Sequence, residues 1–444
     1  MSSPFISAFK TPDLRKKLIF TVAMIAVYRL GATLPSPGVS YTNVQKCLNV
    51  VNNGAQSGVF SLLNLFSGGA LLQLSVFALG IMPYITASII LQLLTVVIPR
   101  LEQLRKEGQA GQAKITQYTR YLTLGLAILQ SSAFVALARS GQLFQNMCDQ
   151  YPIVPSTKLP MWLTVGVLVI TMTAGTGVIM WLGELVTDRG IGNGMSVLIF
   201  TSIAARLPAE GQSIWQKSPY RFVAVLAVGV LVIGFVVFLE QAQRRVPVQY
   251  AKRMIGRRMY GGTSTYIPLK VNQAGVIPVI FASSLLYLPQ LVIQLMGQKA
   301  TNNSVLLWID RHFVQQSALS GPYYIGAYFL LIIFFTYFYV SITFNPTEVA
   351  DNMKKYGGFV PGIRPGKPTA EYLDFILSRI TLPGALYLAV IAVLPYLFMN
   401  FVGGNKQNFP FGGTAVLIIV GVGLETVKQI ESQLMQRNYE GFLR

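Results

Sequence analysis

Ten stretches of the chain are apolar over a length close to that of one bilayer crossing. A helix needs about 20 apolar residues at 1.5 Å each to span the hydrocarbon core, so these stretches are predicted to be membrane-spanning helices. They cover residues 18–35, 74–98, 117–138, 161–181, 191–206, 220–240, 272–296, 322–342, 377–399 and 411–430. The fifth stretch is short for a span.

The apolar run over residues 58–98 is about twice as long as one crossing needs. Ser67-Gly68-Gly69 interrupts it, because glycine disfavours helix. The later part, about Leu74–Ile98, can span alone, whereas Gly58–Leu72 is too short to span and too apolar for an open loop. Non-helical backbone at membrane depth is tolerated only inside protein or beside a watery cavity. We therefore predict that Gly58–Leu72 folds back into the molecule and plugs a pore.

Composition and charge placement support a polytopic membrane protein. Of the 444 residues, 52% are hydrophobic and 11% are charged, and the net charge is +19. With the N-terminus inside, ten spans place 25 of the 35 Lys and Arg residues on the inner side and nine outside. The positive-inside rule therefore predicts ten spans and two cytoplasmic termini. The two cysteines, Cys47 and Cys148, match no metal or redox spacing and are expected to be inert thiols.

Ten spans divide into two halves of five that would enter the membrane in opposite directions. Inverted halves of this kind place a functional path at their interface. We predict an N-terminal half over residues 1–206, an outer connection over 207–219 and a C-terminal half over 220–444. Two long, basic inner loops cover residues 241–271 and 343–376. Successive Gly-Gly and Pro-Gly corners in the second loop favour a shaped surface for a partner.

The basic segment over Gln243–Tyr260 has two interpretations. It can attract anionic lipid at the inner surface, or it can dock on nucleic-acid phosphate or an acidic protein. Composition alone does not decide between them.

Residues that carry catalytic or metal chemistry are scarce. The only histidine, His312, has no second candidate ligand nearby, so we predict no metal site, no cofactor and no catalytic residue. The glycine-rich Gly190–Gly194 lacks the preceding strand and the following Lys-Ser/Thr of a phosphate loop, and favours a sharp entry into the fifth span. A set of charged residues lies near predicted span ends, where snorkelling accounts for them. They are Arg29, Glu184, Arg206, Glu240 and Glu425.

Two further classes are disfavoured by the same scarcity. A secondary transporter with inverted repeats, which is the alternative function, would carry buried charges at mid-membrane. A membrane-embedded enzyme would need paired acids or histidines inside.

Some residues within the spans need neighbours. Ile81 and Ile85 share a helix face, and spacing alone favours ordinary lipid or core contact. Polar residues in the second, third and seventh spans need a partner helix or water, so these spans are predicted to meet.

Several motifs resemble those of the SecY family of protein-translocation channels, and the resemblance runs from about Phe9 to the last residues. The motifs are Leu65–Ala70, Phe77–Ile85, Gln117–Tyr121, Met180–Glu184, Arg189–Gly194, Gly275–Ser284 and Phe359–Gly366. The resemblance implies an all-α polytopic membrane protein. Its ten transmembrane helices form two inverted, pseudo-symmetric halves of five around a central hourglass pore with a re-entrant plug.

The resemblance also assigns residues to sites. The pore ring is implied to be Ile81, Ile85, Ile199, Ile280 and Ile418, in place of the simpler lipid contact. The plug residues are Phe60, Leu63, Asn64, Phe66, Ser67, Gly68 and Gly69. The lateral gate residues are Thr86, Gln130, Asn272 and Ser284. The residues that dock a motor or ribosome are Arg257, Arg258, Lys354, Lys355 and Arg364.

The function implied is a protein-conducting channel that passes unfolded preproteins and releases hydrophobic segments sideways into lipid. A docked motor or ribosome supplies the energy, because the sequence shows no nucleotide site. The implied partners are SecE-like and SecG-like small membrane subunits, the SecA motor ATPase, ribosomal RNA phosphates, signal peptides with their preproteins, and anionic lipids. The implied location is the bacterial cytoplasmic membrane, with a thylakoid membrane as the alternative because plastid relatives look alike.

Overall fold

The described part of the chain is mostly helical. A computed structural model describes residues 11–53, 67, 69–71, 73–139, 160–217, 219–250, 253–255, 258–260, 264–296, 304–309, 312, 321–402 and 413–440. The helices of its N-terminal part are α1 (Pro12–Thr33), α2 (Tyr41–Asn53), α3 (Met82–Val97), α4 (Pro99–Lys106), α5 (Gln109–Arg139), α6 (Met161–Arg189), α7 (Gly194–Ala204), α8 (Leu207–Lys217) and α9 (Pro219–Gln241).

The C-terminal part combines helices with short strands. Its strands are β1 (Gln243–Tyr250), β2 (Arg253–Ile255), β3 (Arg258–Tyr260), β4 (Ser264–Lys270) and β5 (Gly358–Phe359). Its helices are α10 (Ile277–Met296), α11 (Ser304–Ile309), α12 (Pro322–Thr343), α13 (Pro346–Lys355), α14 (Lys367–Val402) and α15 (Gly413–Glu440).

Each of the ten predicted apolar stretches overlaps a helix, and the molecule is a multi-pass membrane protein. Among the described residues, six helices are long and apolar enough to cross a membrane, or seven if the bent pair α3–α4 counts as one span. The six are Gln109–Arg139, Met161–Arg189, Phe222–Gln241, Pro322–Lys355, Lys367–Leu394 and Gly413–Met435. In this count α12 and α13 are taken together as Pro322–Lys355. Helix α1 carries Lys16, Lys17 and Arg29 and is not among them, and α7 and the apolar part of α10 are short.

The predicted span over Leu74–Ile98 is helical only from Met82, so its first turns were predicted wrongly. Ile81 precedes the helix and Pro83 lies in its first turn, where the missing N–H of proline costs nothing. Residues 73–80 instead form turns and one β-bridge, from Ser75 to Pro35, and Leu74 has a positive φ of 45°. The Leu74 carbonyl accepts a hydrogen bond from Ser36 N over 3.1 Å. At Ile98 the path turns by 100° into α4.

The two basic loops contain strands that the turn-rich sequence did not predict. Strand β1 pairs antiparallel with β4 on one side and with β5, from the second loop, on the other. Val246 and Val248 on β1 alternate with exposed residues and pack with Leu269 against Met353 and Leu373. This three-stranded sheet, hereafter the docking sheet, therefore joins the two loops into one unit with its own core. The alternation in residues 245–249 was the signal available in the sequence.

One expectation about the cysteines is wrong. Cys47, fully buried in α2, is disulfide-bonded rather than a free thiol. Cys148 lies outside the described residues.

Candidate functional site: an isoleucine cluster beside a polar cavity

The five isoleucines assigned to the pore ring lie together. Ile81, Ile199, Ile280 and Ile418 are 1%, 6%, 6% and 2% exposed and belong to one hydrophobic cluster, against which Ile85 packs. They come from the start of α3 and from α7, α10 and α15, which are far apart in sequence. The structure thus brings all five predicted residues to one place. Their service as a channel constriction remains a prediction.

Aromatic contacts hold the isoleucine cluster on the α1 side. The Tyr28 hydroxyl is 2.6 Å from Ser202 Oγ, which links α1 to α7. The Tyr28 and Phe77 rings stack with centroids 6.0 Å apart. Phe77 fills the space above Gly31, where an added Cβ would lie 2.1 Å from the ring. The turn segment that precedes Ile81 is therefore packed tightly against α1.

A polar cavity of about 970 Å³ adjoins the isoleucine cluster. Ile85, Ile199, Ile280 and Ile418 contribute to its lining, as do the predicted gate residue Asn272 and many polar side chains. Its charged lining residues are Arg120, Glu184, Asp188, Glu240, Lys270, Glu425 and Lys428. The cavity therefore places charged and polar side chains beside the apolar isoleucine cluster.

Two charged residues of the cavity wall form a forked ion pair. Arg120 Nε donates to Glu184 Oε1 over 2.9 Å, and Arg120 Nη2 donates to Glu184 Oε2 over 2.8 Å. Two parallel bonds of this kind fix orientation as well as charge. The pair joins α5 to α6 and connects two of the motifs quoted above. The prediction that Glu184 only snorkels from a span end is therefore wrong.

The predicted gate residues lie on helices α3, α5 and α10 or, for Asn272, shortly before α10. Helix α5 contacts both α3 and α10, as expected for spans that meet. Thr86 donates to Met82 O over 2.9 Å, within its own helix. Within the described chain, no hydrogen bond joins the side chains of Thr86, Gln130, Asn272 and Ser284 to each other. Ser284 Oγ and Asn272 Oδ1 are buried and have no hydrogen-bond partner among the described residues.

Asn272 has a partner that the sequence interpretation missed. Its Nδ2 donates to Glu240 Oε1 over 2.5 Å and to the Gly275 carbonyl over 3.2 Å. Glu240 is thus partly buried and bonded, not a snorkelling residue at a span end. An acid that closes the otherwise apolar helix Phe222–Gln241, with an asparagine just beyond the following hairpin, was the signal in the sequence.

Most of the predicted plug residues lie outside the residues that the structure describes. Phe60, Leu63, Asn64, Phe66 and Gly68 are among those not described. Ser67 is buried, and its Oγ accepts a hydrogen bond from Leu71 N over 3.1 Å. Gly69 has a φ of +94°, which suits glycine. A turn therefore lies at the predicted break in the apolar run.

The predicted docking residues occupy the basic loops. Lys354 and Lys355 are exposed in the last turn of α13. Arg364 is exposed, and its carbonyl accepts the Thr369 hydroxyl over 2.9 Å, which fixes the corner before α14. Arg258 lies in β3, and Arg257 is outside the described residues.

The glycine-rich segment before α7 is a helix-entry turn. Asn193 caps α7 by accepting hydrogen bonds from Met195 N (3.1 Å) and Ser196 N (3.4 Å). Gly194 packs so closely on α6 that an added Cβ would lie 1.9 Å from Gly183 O. Both features are local packing devices and agree with the predicted sharp entry. Among the described residues, no group of three or more His, Cys, Asp or Glu side chains forms a possible metal site.

Comparison with known proteins defines the class first. The fold matches a solved protein-conducting channel with a TM-score of 0.64 at 18% identity, covering 94% of this chain and 92% of that one. It also matches a SecY channel with a plug domain (TM-score 0.62, 17% identity, 94% and 92% covered) and Sec61 of a canine ribosome–channel complex (0.61, 18%, 94% and 92%). The molecule therefore has the fold of protein-conducting channels.

Sequence similarity then identifies the family. Residues 75–427 match the SecY family model. The chain is 63% identical to protein translocase subunit SecY of Mycobacterium tuberculosis H37Rv over 451 residues, and 64% identical to that of Streptomyces coelicolor over 449 residues, with 100% of each chain covered. The chain belongs to the SecY family, and the predicted resemblance is confirmed.

Proposed function

We propose that this chain is the channel through which a protein translocase passes unfolded preproteins, with the isoleucine cluster as its constriction. Membership of the SecY family makes it a translocase channel subunit and not an enzyme. The observation that supports the constriction is the meeting of five isoleucines from four chain segments beside a cavity of about 970 Å³ with charged lining residues. A secondary transporter is not favoured by these findings.

The isoleucine cluster suits a seal that opens without a large energetic cost. A narrow apolar ring expels water and so resists ions. A passing peptide replaces the contacts that the isoleucines make with each other by contacts of the same apolar kind. The cavity supplies water and polar groups on the approach to that ring.

The finer architecture is proposed from the family. Ten spans in two inverted halves, over residues 1–206 and 220–444 with a connection over 207–219, would enclose the pore. Gly58–Leu72 would close it as a re-entrant plug. A lateral gate, with α3 and α5 on one side and α10 and α12 on the other, would let apolar segments leave into lipid. In the described part of the chain, Asn272 Oδ1 and Ser284 Oγ have no hydrogen-bond partner, which supports a seam that separates at low cost.

Burial favours lateral exit only for apolar segments. At about 25 cal/mol per Å² of apolar surface, a helix of about 20 apolar residues gains by leaving water for lipid, whereas a charged segment does not. The same gate therefore sorts membrane segments from secreted ones.

The docking sheet and the basic residues of the two inner loops are proposed as the platform for partners. Similar channels were solved in ribosome complexes, Sec61 from the canine endoplasmic reticulum and yeast Ssh1. Arg257, Arg258, Lys354, Lys355 and Arg364 would contact ribosomal RNA phosphates or the SecA motor. SecE-like and SecG-like subunits and anionic lipids complete the proposed assembly. The membrane would be the bacterial cytoplasmic membrane, with both termini inside.

Reconstitution tests the proposal directly. Purified chain and its small subunits in sealed liposomes, given the motor ATPase and ATP, should move a preprotein into a protease-protected space. The control is the same liposomes without ATP. If no preprotein is protected while the vesicles take up a small solute against its gradient, the channel proposal fails and the transporter is favoured.

A further inference from the structure

The Glu240–Asn272 hydrogen bond lies at the base of the docking sheet. Backbone pairing between β1 and β4 runs from Gln249 opposite Ser264 down to Gln243 opposite Lys270. It continues through the hydrogen bond from Val271 N to Ala242 O, over 3.0 Å. The side-chain bond from Asn272 to Glu240 then closes this ladder where the sheet meets α9 and the start of α10.

The orientation of the Asn272 amide depends on few contacts. Asn272 is 4% exposed, and its Oδ1 has no hydrogen-bond partner within the part of the chain that the structure describes. Its Nδ2 is held by Glu240 and by the Gly275 carbonyl. Because Gly275 belongs to the same turn as Asn272, Glu240 is the contact that ties the amide to another segment of the chain.

The surroundings of Glu240 connect three parts of the molecule. Lys270 at the end of β4 and Lys428 on α15 both interact electrostatically with the Glu240 carboxylate. Helix α15 also supplies Ile418 of the isoleucine cluster. Glu240, Lys270, Asn272 and Lys428 all line the polar cavity. The hydrogen bonds from Val271 to Ala242 and from Asn272 to Glu240 thus connect the docking sheet to the segment just before helix α10.

We propose that Glu240 is a positioning residue for the lateral gate. It holds the Asn272 amide in register with the docking sheet, so that a partner bound to the sheet moves the start of α10 and separates the gate. This inference rests on the proposed channel function. It gives Glu240 a role in coupling docking to opening and no direct contact with the partner.

The test compares binding of the motor with movement of the preprotein in the liposomes described above. Glu240→Ala should slow translocation about tenfold or more, because a hydrogen bond to a charged group is lost. The affinity for the motor ATPase should stay unchanged, because the docking surface is intact. Glu240→Gln should restore most of the rate, since its side-chain oxygen still accepts from Asn272. Glu431→Ala, which removes a partly buried acid on α15 outside the cavity lining, is the matched control.

Several results would overturn the proposal. They are normal translocation by Glu240→Ala, a parallel loss of motor affinity, or a Glu240→Gln variant as slow as Glu240→Ala, which would assign the role to charge alone. If Glu240→Ala does not accumulate, the exchange of Glu240→Gln with Asn272→Asp retains an amide–carboxylate bond. It should translocate faster than Asn272→Asp alone, and an equal rate refutes the pairing. Failure of the unmodified chain to translocate would instead refute the channel function.

Discussion

The isoleucine cluster allows a quantitative prediction about ion leak. Ile418 is 2% exposed and packs in the cluster. Replacing it by serine removes an apolar group whose burial contributes about 2 kcal/mol and adds a hydroxyl that binds water. If the cluster is the barrier to ions, the free-energy cost of letting water enter it falls by about 2 kcal/mol. The resting ion conductance should then rise about thirtyfold, since about 1.4 kcal/mol corresponds to a factor of ten.

The measurement is single-channel or bulk conductance of the reconstituted chain without motor or preprotein. Ile418→Ser also creates a cavity, which destabilises a buried site by about 2–5 kcal/mol. Ile332→Ser is the matched control, because Ile332 is 0% exposed but packs in a different cluster, around α12. Both variants should lose similar stability, and only Ile418→Ser should leak. Equal conductance in the two variants would show that the isoleucine cluster is not the barrier.

Three further predictions address docking, packing and the plug. Arg364→Glu should abolish motor-driven export while assembly stays intact, because it reverses the charge on a fixed, exposed corner. Lys367→Glu is the neighbouring exposed control. Normal export by Arg364→Glu would remove this residue from the docking site. Gly194→Ala should lower the free energy of unfolding in detergent by about 1–3 kcal/mol, because the added Cβ would meet a backbone oxygen of α6. Gly234→Ala, with open space around it, should be neutral or stabilising, and equal effects would contradict the packing argument. Replacing residues 58–72 by a short linker should raise the resting conductance, and an unchanged value counts against the plug.

The sequence predicted the helices well because their signal is local. A run of apolar residues must leave water whatever its neighbours are, so each of the ten stretches overlaps a helix. The motifs also pointed to the family, which the comparisons confirm. Local reasoning was less successful at Leu74–Gly80, which is as apolar as a span. There two backbone hydrogen bonds join the segment to Leu34 and Ser36, which are distant in sequence, and the others close short turns instead of a continuous helix.

The docking sheet shows a second limit of local reasoning. Glycine and proline corners in the second basic loop were visible in the sequence and predicted turns correctly. The pairing of β1 with β5 was not visible, because it joins residues about a hundred positions apart. Strand pairing depends on which segments meet, and composition does not determine that.

What the sequence by itself determined is the class of the molecule: long apolar helices, basic loops and family motifs. The isoleucines could be named from the family, but spacing alone favoured lipid contact for Ile81 and Ile85. The tertiary structure decided that isoleucines from four segments share one cluster. It also decided that Glu240 is hydrogen-bonded to Asn272 and that Arg120 is hydrogen-bonded to Glu184. Hydrophobicity is a property of each residue, whereas a seal, an ion pair and a coupled gate are properties of distances between residues that only packing sets.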